Sequence, residues 1–275
     1  MIWRDYASSG GDAVRRLHRA FGPEVLGVAL FVALWQLGAA LSDPLVLPSP
    51  LLTAKAMVGL IGEGALVRAA WVTTLRTVTG FGAAALLGVG VGILAGVFHL
   101  LRRMLRPIVT VLQGVPQIAW IVLALFWFGP SSGTTPVFTV AVAVLPLLFA
   151  SAVEGMGATD RALLAMARAF RAPNRVLLLD LYWPHLLSYL FPAATAGLGI
   201  GWKVAVMAEV MSAGSGIGAG LQAARTNLQT PEAMAWILLV VLLMFGMEYL
   251  VLHPLRRRLE PWRQPEERGA GDAAA

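Results

Sequence analysis

Some ionisable side chains lie deep inside long apolar stretches of the sequence, where a charge is costly. Lys203 and Glu209 fall within one stretch, and Arg76 lies near the start of another. Because an ionised side chain facing lipid costs on the order of 3 kcal/mol on insertion scales, such residues usually pair with one another or line a water-filled path. Two interpretations stay open: Lys203 or Arg76 pairs with Glu209, or a positive path selects an anionic or polar solute.

Two glutamines in a third apolar stretch extend this candidate path. Gln113 and Gln117 are four residues apart, with Trp120 nearby. On a continuous helix this spacing places both amides on one face. There they either form hydrogen bonds with a neighbouring helix or face the solute. The candidate path residues are therefore Lys203, Glu209, Arg76, Gln113, Gln117 and Trp120.

The sequence offers little for catalysis. It has no cysteine, which excludes a thiolate metal site and a cysteine nucleophile. The histidines lie at or beyond the ends of apolar stretches, at His18, His99, His185 and His253. The glycine-rich segment 214–220 imitates a dinucleotide fingerprint, but no strand precedes it, so a tight turn or re-entrant loop is expected. We predict no catalytic residue, no metal site and no cofactor bound by this chain.

The composition indicates that these residues are positioned by membrane helices. The chain is 58% hydrophobic and only 13% charged, unlike a soluble domain. A helix needs about 20 apolar residues to cross a bilayer. Six stretches approach that length: 24–41, 68–100, 107–128, 134–153, 185–211 and 232–253. The predicted fold is an all-α membrane protein with six transmembrane helices.

Arginines cluster in alternate connections between these stretches. The clusters are Arg4, Arg15, Arg16 and Arg19, then Arg102, Arg103 and Arg106, then Arg161, Arg168, Arg171 and Arg175, and finally Arg256, Arg257 and Arg258. Since basic residues in short loops remain cytoplasmic, both termini are predicted to be cytoplasmic. The net charge of +6 then reflects topology rather than nucleic-acid binding. We divide the chain into a cytoplasmic segment 1–23, a permease domain 24–263 and a disordered tail 264–275.

The longest predicted cytoplasmic connection, 154–184, carries helix signals of its own. Thr159 or Asp160 can cap a first helix that Pro173 closes, and Asn174 can cap a second that runs to Pro184. Such an amphipathic pair binds a cytoplasmic partner or lies in the lipid interface. The residues singled out in this connection are Glu154, Gly155, Asp160, Leu163, Leu164, Ala167, Arg168, Phe170, Arg171, Ala172, Pro173, Leu177 and Pro184.

Glycines recur at four-residue spacing in two of the apolar stretches. The positions are Gly88, Gly92 and Gly96 in the second, and Gly197 and Gly201 in the fifth. Small residues at this spacing let membrane helices approach closely. The pattern predicts helix packing and leaves open whether the partner helix belongs to the same chain or to a second copy.

Several short motifs, spread over nearly the whole chain, form a set. They are Leu47-Pro48-Ser49-Pro50, Thr74-Leu75-Arg76 with Gly80-Phe81, Val115-Pro116-Gln117 through Trp127-Phe128-Gly129, Ala167-Arg168 to Pro184, and Trp202 with Ala208-Glu209. This set resembles the permease subunits of binding-protein-dependent ABC importers of the nitrate, sulfonate and taurine class. In that family's pattern a glycine usually occupies the coupling-loop position of Arg171, so either Pro173 makes the bend instead or the docking angle differs.

The resemblance implies a type I ABC importer permease in the bacterial cytoplasmic (inner) membrane, supplied by an extracytoplasmic solute-binding protein. It implies two permease copies as a homodimer, and two cytoplasmic ATPases that bind ATP and Mg²⁺ and receive the 154–184 helices. The solute would be a small anion such as a sulfonate, nitrate or carboxylate. The alternative is a stand-alone ion-coupled secondary transporter, which would usually show internal repeats that we do not find.

Overall fold

The computed structural model describes residues 22–158, 161–212, 214–252 and 254. Eleven α-helices and two π-helical turns make up most of these residues. In chain order the α-helices are α1 Pro23–Ala40, α2 Pro50–Gly62, α3 Ala65–Val97, α4 His99–Gly114, α5 Gln117–Phe128, α6 Thr134–Gly157, α7 Arg161–Ala169, α8 Asn174–Val176, α9 Trp183–Ser212, α10 Ile217–Thr226 and α11 Thr230–Gly246. The π-helical turns are Leu177–Tyr182 and Met247–Leu252.

Four helices in the described part of the chain are individually long and apolar enough to cross a membrane. They are α3, α6, α9 counted from Asp180, and α11 extended to Leu250. The helices α4 and α5 add a fifth if they form one broken span, and the apolar part of α1, Val25–Ala40, is shorter. The predicted all-α membrane fold is confirmed, while six crossings and cytoplasmic termini remain predictions.

The third predicted span is wrong as a single straight crossing. Its two halves, α4 and α5, meet at an angle of 94°. The break falls at Val115 and Pro116, which have extended backbone conformations. Proline lacks an amide hydrogen and disfavours a helical conformation of the residue before it, so the helix ends here and restarts at Gln117.

The core is built around α6, which packs most extensively on α3 and α9. The glycine stripe of α3 lies directly against α6. A Cβ added to Gly88 would lie 2.8 Å from the Leu145 carbonyl oxygen, and one added to Gly92 would lie 2.6 Å from Ala152 Cβ. Gly96 faces α6 in the same way. The partner helix left open by the sequence therefore belongs to the same chain.

The glycines of α9 join the same core. Gly197 and Gly201 both face valines of α6, at Val144 and Val140 respectively. A Cβ at Gly197 would lie 3.0 Å from Val144 Cγ1. Both glycine patterns thus lie where helices pack closely.

Two helices in the predicted extracytoplasmic connections were not expected. Helix α2 begins at Pro50 after Ser49, whose Oγ accepts a hydrogen bond from the Leu52 amide at 3.3 Å. Serine as the N-cap followed by proline at the first position is a helix-start signal that the sequence carries. Helix α10 follows the turn 214–216, so only the first part of the glycine-rich segment is a turn.

Candidate solute path and coupling segment

Glu209 lies in α9 with no exposed surface, and its carboxylate accepts hydrogen bonds from three donors. Arg76 Nη1 donates to Oε1 at 2.8 Å, Thr73 Oγ1 to Oε2 at 2.8 Å and the Gly218 amide to Oε2 at 3.1 Å. Arg76 and Thr73 belong to α3, and Gly218 to the first turn of α10. The buried carboxylate therefore joins three helices, and each hydrogen bond offsets part of the cost of removing it from water.

The same network holds the turn before α10. Arg76 donates to the Ser215 carbonyl oxygen at 2.6 Å and to Ser215 Oγ at 2.8 Å. The Ile217 amide donates to Thr73 Oγ1 at 2.9 Å. The Thr73 hydroxyl is thereby used twice, once as donor and once as acceptor. Side chains of α3 fasten this turn to the helix core.

The glycines of this turn are required by the close approach of Glu209. Gly216 has φ of +102°, and a Cβ there would overlap the Glu209 carboxylate. A Cβ at Gly218 would lie 2.6 Å from both Glu209 Cβ and the Val210 nitrogen. The glycine pattern that imitates a nucleotide fingerprint is explained by helix N-terminus packing on a carboxylate.

Of the two pairings left open for Glu209, the structure contains the one with Arg76. Lys203 lies elsewhere on α9, and no hydrogen bond or ion pair joins it to another described residue. Its side chain is exposed. The two interpretations thus separate: Arg76 and Glu209 are a structural pair, and Lys203 is a charge on an open face.

The open face of α9 is a continuous stripe. The opposite face carries Gly197 and Gly201 and packs on α6. One face of α9 is thus buried in the core. The other face is exposed and carries two methionines and an ammonium group within an apolar helix. The exposed members recur at helical spacing and are Tyr189, Pro192, Ala196, Lys203, Met207 and Met211.

The two glutamines do not share a helix face. Gln113 belongs to α4 and Gln117 begins α5, on opposite sides of the 94° break, and both are exposed. The prediction that both amides lie on one helix face is wrong, because it requires a continuous helix from Gln113 to Gln117. Trp120 is half-buried in α5, and its indole Nε1 is buried without a hydrogen-bond partner among the described residues.

The first helix of the predicted coupling segment, residues 154–184, is α7, and a left-handed residue closes it just after its end at Ala169. Arg171 has φ of +54°, and the Ala172 amide donates to the Ala167 carbonyl oxygen at 2.9 Å. This is the hydrogen bond of a Schellman C-cap, whose left-handed position usually holds glycine. The left-handed position of this cap is therefore Arg171, two residues before Pro173.

The second half of the segment continues into α9 instead of stopping at Pro184. Helix α8 is followed by the π-helical turn Leu177–Tyr182, and α9 begins at Trp183. Because this helical run is continuous, Pro184 lies inside it, directly after the π-helical turn, and its missing amide hydrogen leaves one backbone acceptor of that turn without its helical partner. The predicted end at Pro184 is therefore wrong. Thr159 and Asp160, proposed as caps of α7, lie outside the described residues.

Large apolar side chains are exposed on α7 and at its end. Leu163, Met166 and Phe170 recur at helical spacing, and Phe170 is 82% exposed. Exposed apolar surface on a strongly amphipathic helix indicates a surface that another molecule covers.

Thr73, Ser215 and Gly218 were not singled out from the sequence. Thr73 lies three residues before Arg76 on a buried face of α3, a spacing that could have indicated a shared partner. Ser215 and Gly218 had no such signal, because their role depends on the turn folding back onto α9.

Comparison with protein families supplies the broader assignment. The family described as binding-protein-dependent transport system inner membrane component matches residues 88–264. The chain belongs to this family. Membership, with the apolar helices above, confirms the predicted multi-pass inner-membrane protein and ABC importer permease, and does not favour the stand-alone secondary transporter.

Individual relatives carry similar descriptions. The taurine transport system permease protein TauC of Escherichia coli is 28% identical over 242 residues, covering 86% of this chain and 87% of TauC. A putative aliphatic sulfonates transport permease protein, SsuC of Escherichia coli, is 30% identical over 77% of this chain and 81% of its own. The bicarbonate transport system permease protein CmpB of Synechococcus elongatus is 29% identical over 68% of this chain and 71% of CmpB.

Solved structures share the fold. A chain of the MetNI methionine ABC transporter in an inward-facing conformation matches with a TM-score of 0.61 at 19% identity. The match covers 71% of this chain and 96% of the MetNI chain. The predicted type I importer permease fold is confirmed by this similarity.

Proposed function

We propose that this permease forms the path of an ATP-driven importer for a small anionic solute, and that the open stripe of α9 lines that path. The observation that carries the proposal is Lys203, an exposed ammonium group inside an apolar helix with no partner in the described part of the chain. Against lipid, such a group would cost on the order of 3 kcal/mol. In a water-filled path, the Lys203 ammonium group would stay hydrated and would attract an anionic solute.

The side chains of the stripe are better suited to guiding a solute through the membrane than to binding it tightly in one orientation. Methionine side chains are flexible and polarisable, so Met207 and Met211 can contact solutes of different shape. Lys203 is a compact charge with three rotatable donors, and it attracts an anion without fixing its orientation. The solutes named for TauC, SsuC and CmpB include taurine, aliphatic sulfonates and bicarbonate, all of which carry an anionic group, and this supports an anion here.

A second copy of the chain completes the path in this proposal. One chain leaves the Lys203 stripe open to its surroundings. A second permease copy facing it would remove the stripe from lipid and enclose an aqueous space between the two. An extracytoplasmic solute-binding protein delivers the solute to the outer end of that space.

ATP hydrolysis is assigned to a partner chain. Two cytoplasmic ATPases bind ATP and Mg²⁺, and this chain contacts them through residues 154–184. The apolar surface of Leu163, Met166 and Phe170 fits an apolar groove on such a partner. Because α8 continues through the π-helical turn into α9, movement of this segment is transmitted to the helix that carries Lys203.

The path proposal is tested by uptake in proteoliposomes that contain the permease, its ATPase and its binding protein. Lys203→Met should lower uptake of the anionic solute by roughly 10- to 100-fold, which corresponds to the loss of one hydrogen bond to a charged group, and Lys203→Arg should retain most of it. The matched control is Lys55→Met, which removes an exposed lysine of α2. Uptake within about twofold of wild type in Lys203→Met would show that the stripe does not guide the solute.

The coupling proposal is tested by co-purification with the ATPase. Phe170→Glu places a charge on the proposed apolar contact and should reduce the recovered ATPase by about tenfold or more. Leu228→Glu is the control, since Leu228 is 78% exposed and lies in the connection after α10. Equal recovery from both variants would place the ATPase contact elsewhere.

A further inference from the structure

Helix α4 has three distinct faces, and its side chains are sorted cleanly among them. The inner face packs on the ends of α3 and α6, where Leu101, Leu105 and Val109 contact the cluster Ala95, Phe149 and Val153. The second face is apolar and exposed, and consists of Leu100, Met104, Ile108 and Val111. The third face is polar and exposed, and consists of Arg102, Arg103, Arg106, Thr110 and Gln113.

The orientation of α4 sets it apart from the spans. It lies at 94° to α5, so the two helices cannot both follow the membrane normal. It packs near the C-terminal ends of α3 and α6, through Ala95 and Val153, which the arginine pattern assigns to the cytoplasmic side. A strongly amphipathic helix in this position lies along the interface, with its apolar face toward acyl chains.

The polar face carries positive charge that nothing in the described structure neutralises. No hydrogen bond or ion pair joins the side chains of Arg102, Arg103 or Arg106 to another described residue. The guanidinium fork matches the geometry of phosphate oxygens, and clustered basic residues on an amphipathic helix attract anionic headgroups. We propose that α4 binds an anionic phospholipid of the cytoplasmic leaflet, with the phosphate on these arginines and an acyl chain along Met104 and Ile108.

A lipid fits this surface better than a protein because the apolar face continues the membrane-facing surface. Leu94, Val97 and Phe98 at the end of α3 are exposed and lead directly into Leu100. A protein partner for the arginines would have to cover or avoid this apolar strip, whereas one lipid matches both the charge and the strip. Gln113 lies on the same face as the arginines.

The first test is native mass spectrometry of the intact permease–ATPase complex with equal amounts of phosphatidylglycerol and phosphatidylcholine. We expect the wild type to retain phosphatidylglycerol in preference. The triple variant R102Q/R103Q/R106Q should bind it on the order of 100-fold more weakly, since each basic residue near an anionic surface contributes about fivefold. The control variant K55Q/R68Q/R225Q removes three exposed charges from other parts of the chain and should retain the preference.

Unchanged phosphatidylglycerol binding in a folded R102Q/R103Q/R106Q variant would overturn the proposal, and so would an equal loss in the control. A second measurement does not depend on removing arginines. The chain has no cysteine, so Met104→Cys carries a single nitroxide label in liposomes of phosphatidylglycerol and phosphatidylcholine. The label should collide with oxygen more than with a water-soluble nickel chelate, with or without ATPase. Shielding that occurs only when ATPase is bound would identify a protein contact and refute lipid binding.

Discussion

The pair Arg76 and Glu209 should be the most sensitive polar contact of the described structure. The variant Arg76→Met leaves the Glu209 carboxylate fully buried with two neutral donors, Thr73 and the Gly218 amide. It also removes both hydrogen bonds to Ser215. Removing one partner of a buried pair costs about 3–5 kcal/mol, because the other charge is left uncompensated.

The loss of stability in Arg76→Met can be measured as a change in thermal midpoint. The solubilised chain is heated, and the fraction that remains folded is determined by size-exclusion chromatography. At about 2–4 °C per kcal/mol for a chain of this size, Arg76→Met should melt roughly 10 °C lower than the wild type. The matched control is Arg68→Met on the same helix. Arg68 is exposed, so its replacement should cost no more than about 0.5 kcal/mol.

A double-mutant cycle distinguishes a coupled pair from two independent contacts. In R76M/E209M the buried charge is gone, and the remaining cost is that of Thr73 and Gly218 donors without an acceptor, about 1–3 kcal/mol each. The double variant should therefore be clearly more stable than the sum of the single effects implies. Strictly additive losses, or an Arg76→Met midpoint within about 2 °C of wild type, would show that Arg76 and Glu209 are not an energetically coupled pair.

Two further predictions concern packing and the coupling turn. Gly92→Leu should destabilise the chain by roughly 1–3 kcal/mol or more, because its Cβ would lie 2.6 Å from Ala152 Cβ. The control Gly90→Leu lies on the open side of the helix and should not destabilise it. Equal thermal midpoints for the two variants would contradict this prediction. Arg171→Gly should relieve the strain of the left-handed backbone by about 1 kcal/mol and slow hydrogen exchange in α7 about fivefold. The control Arg175→Gly weakens a helical position and should accelerate hydrogen exchange in α8. Faster exchange of α7 in Arg171→Gly would contradict this prediction.

The sequence predicted several helices of this fold well because long uninterrupted apolar runs are typical of membrane helices. The second, fourth and fifth predicted stretches correspond to α3, α6 and α9 to within a few residues at each end. The third failed because length and hydropathy do not detect a change of direction. Pro116 belongs to the motif Val115-Pro116-Gln117, and proline restricts the conformation of the residue before it. A count of apolar residues does not register this restriction.

The spacing of Lys203 and Glu209 in the sequence is enough to exclude a close pairing between them. Residues six apart on a helix lie about 9 Å apart along the axis and point in directions well separated around it. Only three- and four-residue spacings bring side chains together. The pairing with Arg76 could not be reached in this way, because it depends on how α3 and α9 cross, and their crossing is set by the glycine contacts with α6.

The two faces of α9 explain why one helix carries both charges. Glu209 is fixed on the core side, where Arg76 and the turn before α10 hold it, and Lys203 is exposed on the open side. The carboxylate joins the C-terminal end of α9 to α3 and α10, and the N-terminal end continues into residues 154–184 through the π-helical turn. In the function proposed above, a displacement of residues 154–184 would be transmitted along α9, so that Lys203 would move with them. The buried pair would then contribute to transport by holding the far end of α9 in place.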